Sequence, residues 1–120
     1  MSIQAEAVVI SGYKIPRELW QKGWEFCEEH WQDDQFNIPS DWEDLFIDMD
    51  PISGTGETFF AATIYTVDEC SAPKEFDTIL ADAKTILHVQ RSFDIVFHNI
   101  YMESGFPTPS FNKYLGLRWI

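Results

Sequence analysis

Apolar and polar positions recur at two different periods along this 120-residue chain, and the places where the period switches mark its elements. Residues 4–13 (QAEAVVISGY) are rich in β-branched and apolar side chains and close at Gly12, which predicts a strand. Pro16 then suits the first turn of a helix running to about Gln32. On that helix Trp20, Trp24, Cys27 and Trp31 fall together, flanked by Leu19, Gly23 and Phe26, while Glu18, Glu25 and Glu29 fall opposite. An aromatic buried face and an anionic outer one are expected.

A polar link over 33–39 leads to Ser40 and Glu43, spaced as a capping box, and to a short helix over 41–46. Phe46 to Asp50 alternates apolar and acidic residues, like a strand with one exposed face. PISGTG at 51–56 predicts a turn. ETFFAATIYTV at 57–67 is apolar on both faces, as a central strand would be. Pro73 precedes a second predicted helix over 75–90, with Phe76, Ile79, Leu80, Ala83, Ile86 and Leu87 in helical phase. FDIVFHNIY at 93–101 has the composition of a further strand, 105–109 that of a loop, and 113–120 that of a last strand or a segment docked on the core. The order is strand, helix, strand, strand, helix, strand, with a C-terminal extension. It predicts one compact α+β domain over 1–120, an antiparallel-type sheet of four to five strands with two helices on one face, in the split βαβ or ferredoxin-like order.

Composition agrees with a packed domain. A chain that is 45% hydrophobic and 16% aromatic has a real core, so its acidic excess does not mean disorder. Cys27 and Cys70 are too few for a disulfide scaffold and stand in no CxxC or Cys/His spacing, which points to reduced thiols in a cytoplasmic protein. The run Ala5 to Ile10 is interrupted by Glu6 and is too short for a signal peptide or a membrane span.

Charge changes the picture most. Eleven of the 20 acidic residues fall between Glu18 and Asp50, and Lys22 is the sole basic residue among them, so that window carries nearly all of the net charge of −12. Such a surface repels nucleic acid and anionic membrane and attracts basic proteins or cations. Glu25, Glu28, Glu29, Asp33, Asp34, Asp41, Glu43, Asp44, Asp48 and Asp50 are the candidate partner-binding acids, with Trp42, set among Asp41, Glu43 and Asp44, as an exposed apolar anchor. An array of carboxylates can occupy a groove built for phosphates. The plainer alternative is a solvated face that keeps an aromatic-rich protein soluble.

Catalytic and metal chemistry finds little support. Asp48 and Asp50 form a DxD that could share a strand face, yet no calcium loop or substrate-phosphate motif accompanies them. His30, His88 and His98 are scattered over separate elements, without zinc spacing, and His98 shares a strand face with Asp94 by alternation, which could make an acid–base pair only with outside help. Cys70 lies beside Asp68 and Glu69, which blunt a thiolate, and SGTGET at 53–58 lacks the lysine of a phosphate loop. No cofactor and no metal are expected.

The segments ISGYKIPRELW, FIDMDPIS and ETFFAATIYTVDE, with the terminal YLGLRW, resemble small uncharacterised proteins encoded by tailed phages and prophages. That resemblance implies an accessory protein directed at host or phage machinery, a setting in which acidic inhibitors of nucleic-acid machinery are frequent, and it transfers no functional residue. The expectation is a non-enzymatic, cytoplasmic acidic interaction protein, in its most concrete form a nucleic-acid mimic seated in the basic groove of a nucleic-acid-binding protein. The alternatives are a phage assembly component that self-associates through a sheet edge or through 106–120, and a metal-dependent small-ligand enzyme using Asp48, Asp50 and a histidine.

Overall fold

The computed structural model describes residues 5–49, 56–67 and 83–119. Strand β1 (Ala5–Lys14) is followed by helix α1 (Arg17–His30), the single-turn helix α2 (Trp42–Leu45) and the short strand β2 (Phe46–Met49). Strand β3 (Glu57–Val67), the long helix α3 (Ala83–Ser104) and strand β4 (Phe111–Trp119) complete the domain. The sheet order is β2-β3-β1-β4 with every neighbouring pair antiparallel. β1 and β2 therefore run parallel with β3 between them, and β3 and β4 run parallel with β1 between them. Two interleaved split βαβ units result, one crossing through α1 and one through α3. β3, apolar on both faces, is central as its pattern predicts.

The segment 93–101 is a correction. It is not a strand but the middle of α3, and the last strand of the split βαβ order is supplied by 111–119 instead. Phe93, Val96, Phe97 and Tyr101 are buried at helical spacing. Most of the turn expected over 51–56 and residues 75–82 of the predicted second helix lie outside the described residues, as do Asp50 and Cys70.

Both long helices pack on one sheet face. Leu19 and Cys27 of α1 and Val89, Phe93, Val96, Phe97 and Tyr101 of α3 bury against Tyr13, Phe46 and Phe60 of the sheet. Gly23 fixes how near α1 comes to α3, because a Cβ there would lie 2.5 Å from the ring of Phe97. A glycine inside a helix costs about 1 kcal/mol against alanine, and close packing on an aromatic ring is what it makes possible here. Trp20 donates its indole N–H to the carbonyl of Phe59 at 3.2 Å, tying α1 to β3.

The opposite sheet face holds a second core. Val8, Ile10, Ile47, Met49, Phe59 and Ala61 are buried there, and the rings of Phe59 and Tyr114 lie 4.9 Å apart across β1. The sheet curls until its outer strands approach one another, so that a Cβ on Gly116 of β4 would lie 2.9 Å from the sulfur of Met49 on β2. The register of the β1–β3 ladder shifts between Val9 and Ile10, an irregularity of the kind that locally increases strand twist.

Candidate interaction surface

Helix α1 sorts its residues cleanly. Leu19, Gly23 and Cys27 are buried, and Glu18, Gln21, Lys22, Glu25, Glu28 and Glu29 are exposed along one outer face. Asp33 and Asp34 follow, exposed, directly beyond the helix end. In α2 the i, i+3 pair Trp42 and Leu45 turns inward, which leaves Glu43 and Asp44 in solvent. The rings of Trp24 and Trp42 meet at 4.8 Å and so dock α2 beside the middle of α1. Glu25, Glu28, Glu29, Asp33 and Asp34 are therefore brought together around the C-terminal end of α1, with Glu43 and Asp44 on the short helix that packs against it.

Two aromatic expectations exchange places. Trp42 is not an exposed anchor: it is only 5% exposed, wedged among Trp24 and Phe46. Trp31, expected in the core, sits at the C-cap of α1 and is 54% exposed. Trp31 shares the phase of the half-buried Trp20 and Trp24, at the edge of a buried face centred on Leu19, Gly23 and Cys27. The exposed tryptophan with acidic neighbours in sequence is thus Trp31, between Glu28 and Glu29 before it and Asp33 and Asp34 after it.

Several acids already have partners. Arg17 donates to both carboxylate oxygens of Asp48 at 3.1 and 3.2 Å, so Asp48 is drawn to the N-terminal end of α1, apart from the acids at its C-terminal end. Lys22 lies 3.5 Å from Glu18 one helical turn away. Asp41, rather than Ser40, is the N-cap of α2 and makes no cap bond; its carboxylate meets His88 Nε2 of α3 at 2.8 Å. The expected box of Ser40 and Glu43 is absent because α2 starts at Trp42, which makes Asp41 and not Ser40 its N-cap. Glu28 accepts the indole N–H of Trp24 at 2.7 Å, and Asp33 accepts the backbone N–H of Gln35 at 3.1 Å. Glu25, Asp34, Glu43 and Asp44 make no ion pair with any described residue.

The placement of these charges runs against helix stability. The C-terminal end of a helix carries partial negative charge, which favours lysine or arginine there. α1 instead places Glu28 and Glu29 in its last turn, with His30 as its basic residue there and Asp33 and Asp34 just beyond. Glu25 and Glu29 stand at i, i+4, a like-charge spacing that costs a few tenths of a kcal/mol. The acids of α2 need no such explanation, since Glu43 and Asp44 occupy its favourable first turn.

The remaining chemistry is sparse. Among the described residues no group of three or more histidine, cysteine or carboxylate side chains is placed to hold a metal ion. The Asp41–His88 contact joins residues 47 apart, and nothing in their spacing signals it. His30 packs against the rings of Phe26 and Phe36, which also meet each other. His98 and Asp94 stand one helical turn apart on α3, not on a strand face. Burial pushes the Cys27 thiol up to about 12, which makes it a poor nucleophile. Among the described residues no helix is long and apolar enough to cross a membrane. Compared with known protein families, curated proteins and solved structures, the chain matches none.

Proposed function

We propose that this protein is a non-enzymatic, cytoplasmic acidic module that binds a basic protein through the C-terminal end of α1, in the most specific form by occupying the phosphate-binding groove of a nucleic-acid-binding protein. One observation carries the reading: carboxylates gather at the helix terminus where they weaken the helix, around an exposed tryptophan. Solubility alone asks for charge anywhere on the surface. It does not ask for four acids at a negative helix end. A cationic partner relieves the repulsion among Glu25, Glu28, Glu29, Asp33 and Asp34, satisfies the last carbonyls of α1, and covers Trp31. Glu43 and Asp44 extend the surface, while Asp41 and Asp48 are engaged within the fold and contribute less.

The test is capture of partners on immobilised protein at low and high salt, using wild type, a Glu25→Lys/Glu29→Lys/Asp33→Lys/Asp34→Lys variant and Trp31→Ala. A true partner is retained by wild type, displaced by added DNA, lost from the charge variant, and weakened about tenfold or more by Trp31→Ala. Retention unchanged by the four reversals contradicts the reading.

A further inference from the structure

We infer that α3 carries a second, independent interface through which two copies of this chain pair antiparallel. Five large apolar side chains are exposed among the described residues, and three of them, Leu87, Ile95 and Met102, lie on α3 at 46%, 36% and 74% exposure. They are not scattered. With Arg91 and His98 they follow spacings of four, four, three and four residues, which at 3.6 residues per turn form one stripe down the solvent side of the helix, opposite Val89, Phe93, Val96 and Phe97. Among the described residues the stripe stays exposed.

Charge selects the occupant. The chain carries −12, so two copies repel wherever their acidic faces meet. α3 is the exception: Lys84 and Arg91 balance Asp94 and Glu103, leaving the helix neutral. Arg91 lies on the stripe and Asp94 at its edge, so a second copy running antiparallel brings each toward the opposite charge of its counterpart. The apolar positions are also close to palindromic, with Leu87 and Met102 eight and seven residues from Ile95. A two-fold axis between residues 94 and 95 places Leu87 across from Met102 of the second copy. It packs the two Ile95 side chains near the axis and leaves Arg91 about 6 Å along the helix from Asp94 of the second copy, within reach of an arginine side chain. Self-complementarity of this kind is what a closed two-fold interface requires. The contact spans about 22 Å of helix, which makes it small and the pairing concentration-dependent.

Sedimentation velocity from about 10 μM to about 1 mM tests this. Wild type shifts from monomer toward dimer as concentration rises, and Ile95→Glu weakens the association about tenfold or more. Arg91→Asp and Asp94→Arg each remain monomeric alone, because like charges then face each other. Mixed in equal amounts they form a heterodimer in which both Asp–Arg pairs are restored. Monomer throughout the concentration range overturns the inference, as does an Ile95→Glu variant that associates like wild type. Association that survives Ile95→Glu but is lost in Leu115→Lys assigns pairing to strand β4 and equally overturns it.

Discussion

Helices α1 and α3 lie side by side on one face of the sheet, and toward that face they are alike. Each presents small, aliphatic or aromatic residues to a shared core, Leu19, Gly23 and Cys27 from one and Phe93, Val96, Phe97 and Tyr101 from the other. Toward solvent they part: α1 is acidic up to its last turn, whereas α3 is neutral and carries exposed apolar side chains. The inner faces are fixed by packing and have little freedom to differ. The outer faces are unconstrained by the fold, so the features there that work against stability or solubility mark the two candidate interaction surfaces.

That contrast breaks most severely at Phe97, which contacts Phe46, Phe60, Phe93 and Tyr101. Phe97→Ala is expected to cost about 3–5 kcal/mol, read as a lowered urea midpoint. Alkali attacks both inner faces together. Burial pushes Cys27 of α1 and Tyr101 of α3 up to about 12, from ordinary values of 9.0 and 10.0, and raises Tyr13 through desolvation and then the charge of Asp94. A folded value above the unfolded one gives stability that is whole below pH 9 and is lost as pH climbs toward 12. Denaturation midpoints should therefore fall across that window, and in a Cys70→Ser background Cys27 should react with thiol reagents only when the protein unfolds.

Milder changes sharpen the comparison. Gly23→Ala inserts a methyl group against Phe97 and is expected to cost about 1–3 kcal/mol, where an exposed helix glycine would gain stability from the same change. At the small end, Glu25→Gln or Glu29→Gln is expected to stabilise the fold by about 0.3 kcal/mol while weakening partner capture. Loss of stability on neutralising these acids would show that they serve the fold.

Much of the fold was legible because period and composition agreed. ETFFAATIYTV matches β3 over its whole length, and phase gives the apolar side of α1, although Leu19, Gly23 and Cys27 centre it rather than the expected Trp20, Trp24, Cys27 and Trp31. The misreading of 93–101 has a definite cause. Phe93, Val96, Phe97 and Tyr101 keep helical phase, but Ile95 falls off it and makes the run look alternating. Ile95 is off phase because it faces solvent, so the residue that obscured the helix is the one at the centre of the α3 stripe. Trp42 and Trp31 were exchanged for a related reason: acidic neighbours suggested exposure for Trp42, yet a one-turn helix points alternate sides of a short segment in opposite directions. Trp31 lies at the edge of the buried face of α1, and which residues centre that face depends on tertiary packing that no local pattern carries.

The most direct check is a residue-resolved NMR titration of the protein with an arginine- and lysine-rich peptide, followed through backbone amide shifts. Perturbation centred on residues 25–34, extending to Glu43 and Asp44, weakening with salt and leaving α3 unmoved, is the expected result. Perturbation spread evenly over every acidic residue, or confined to α3 and β4, would contradict a partner surface at the end of α1.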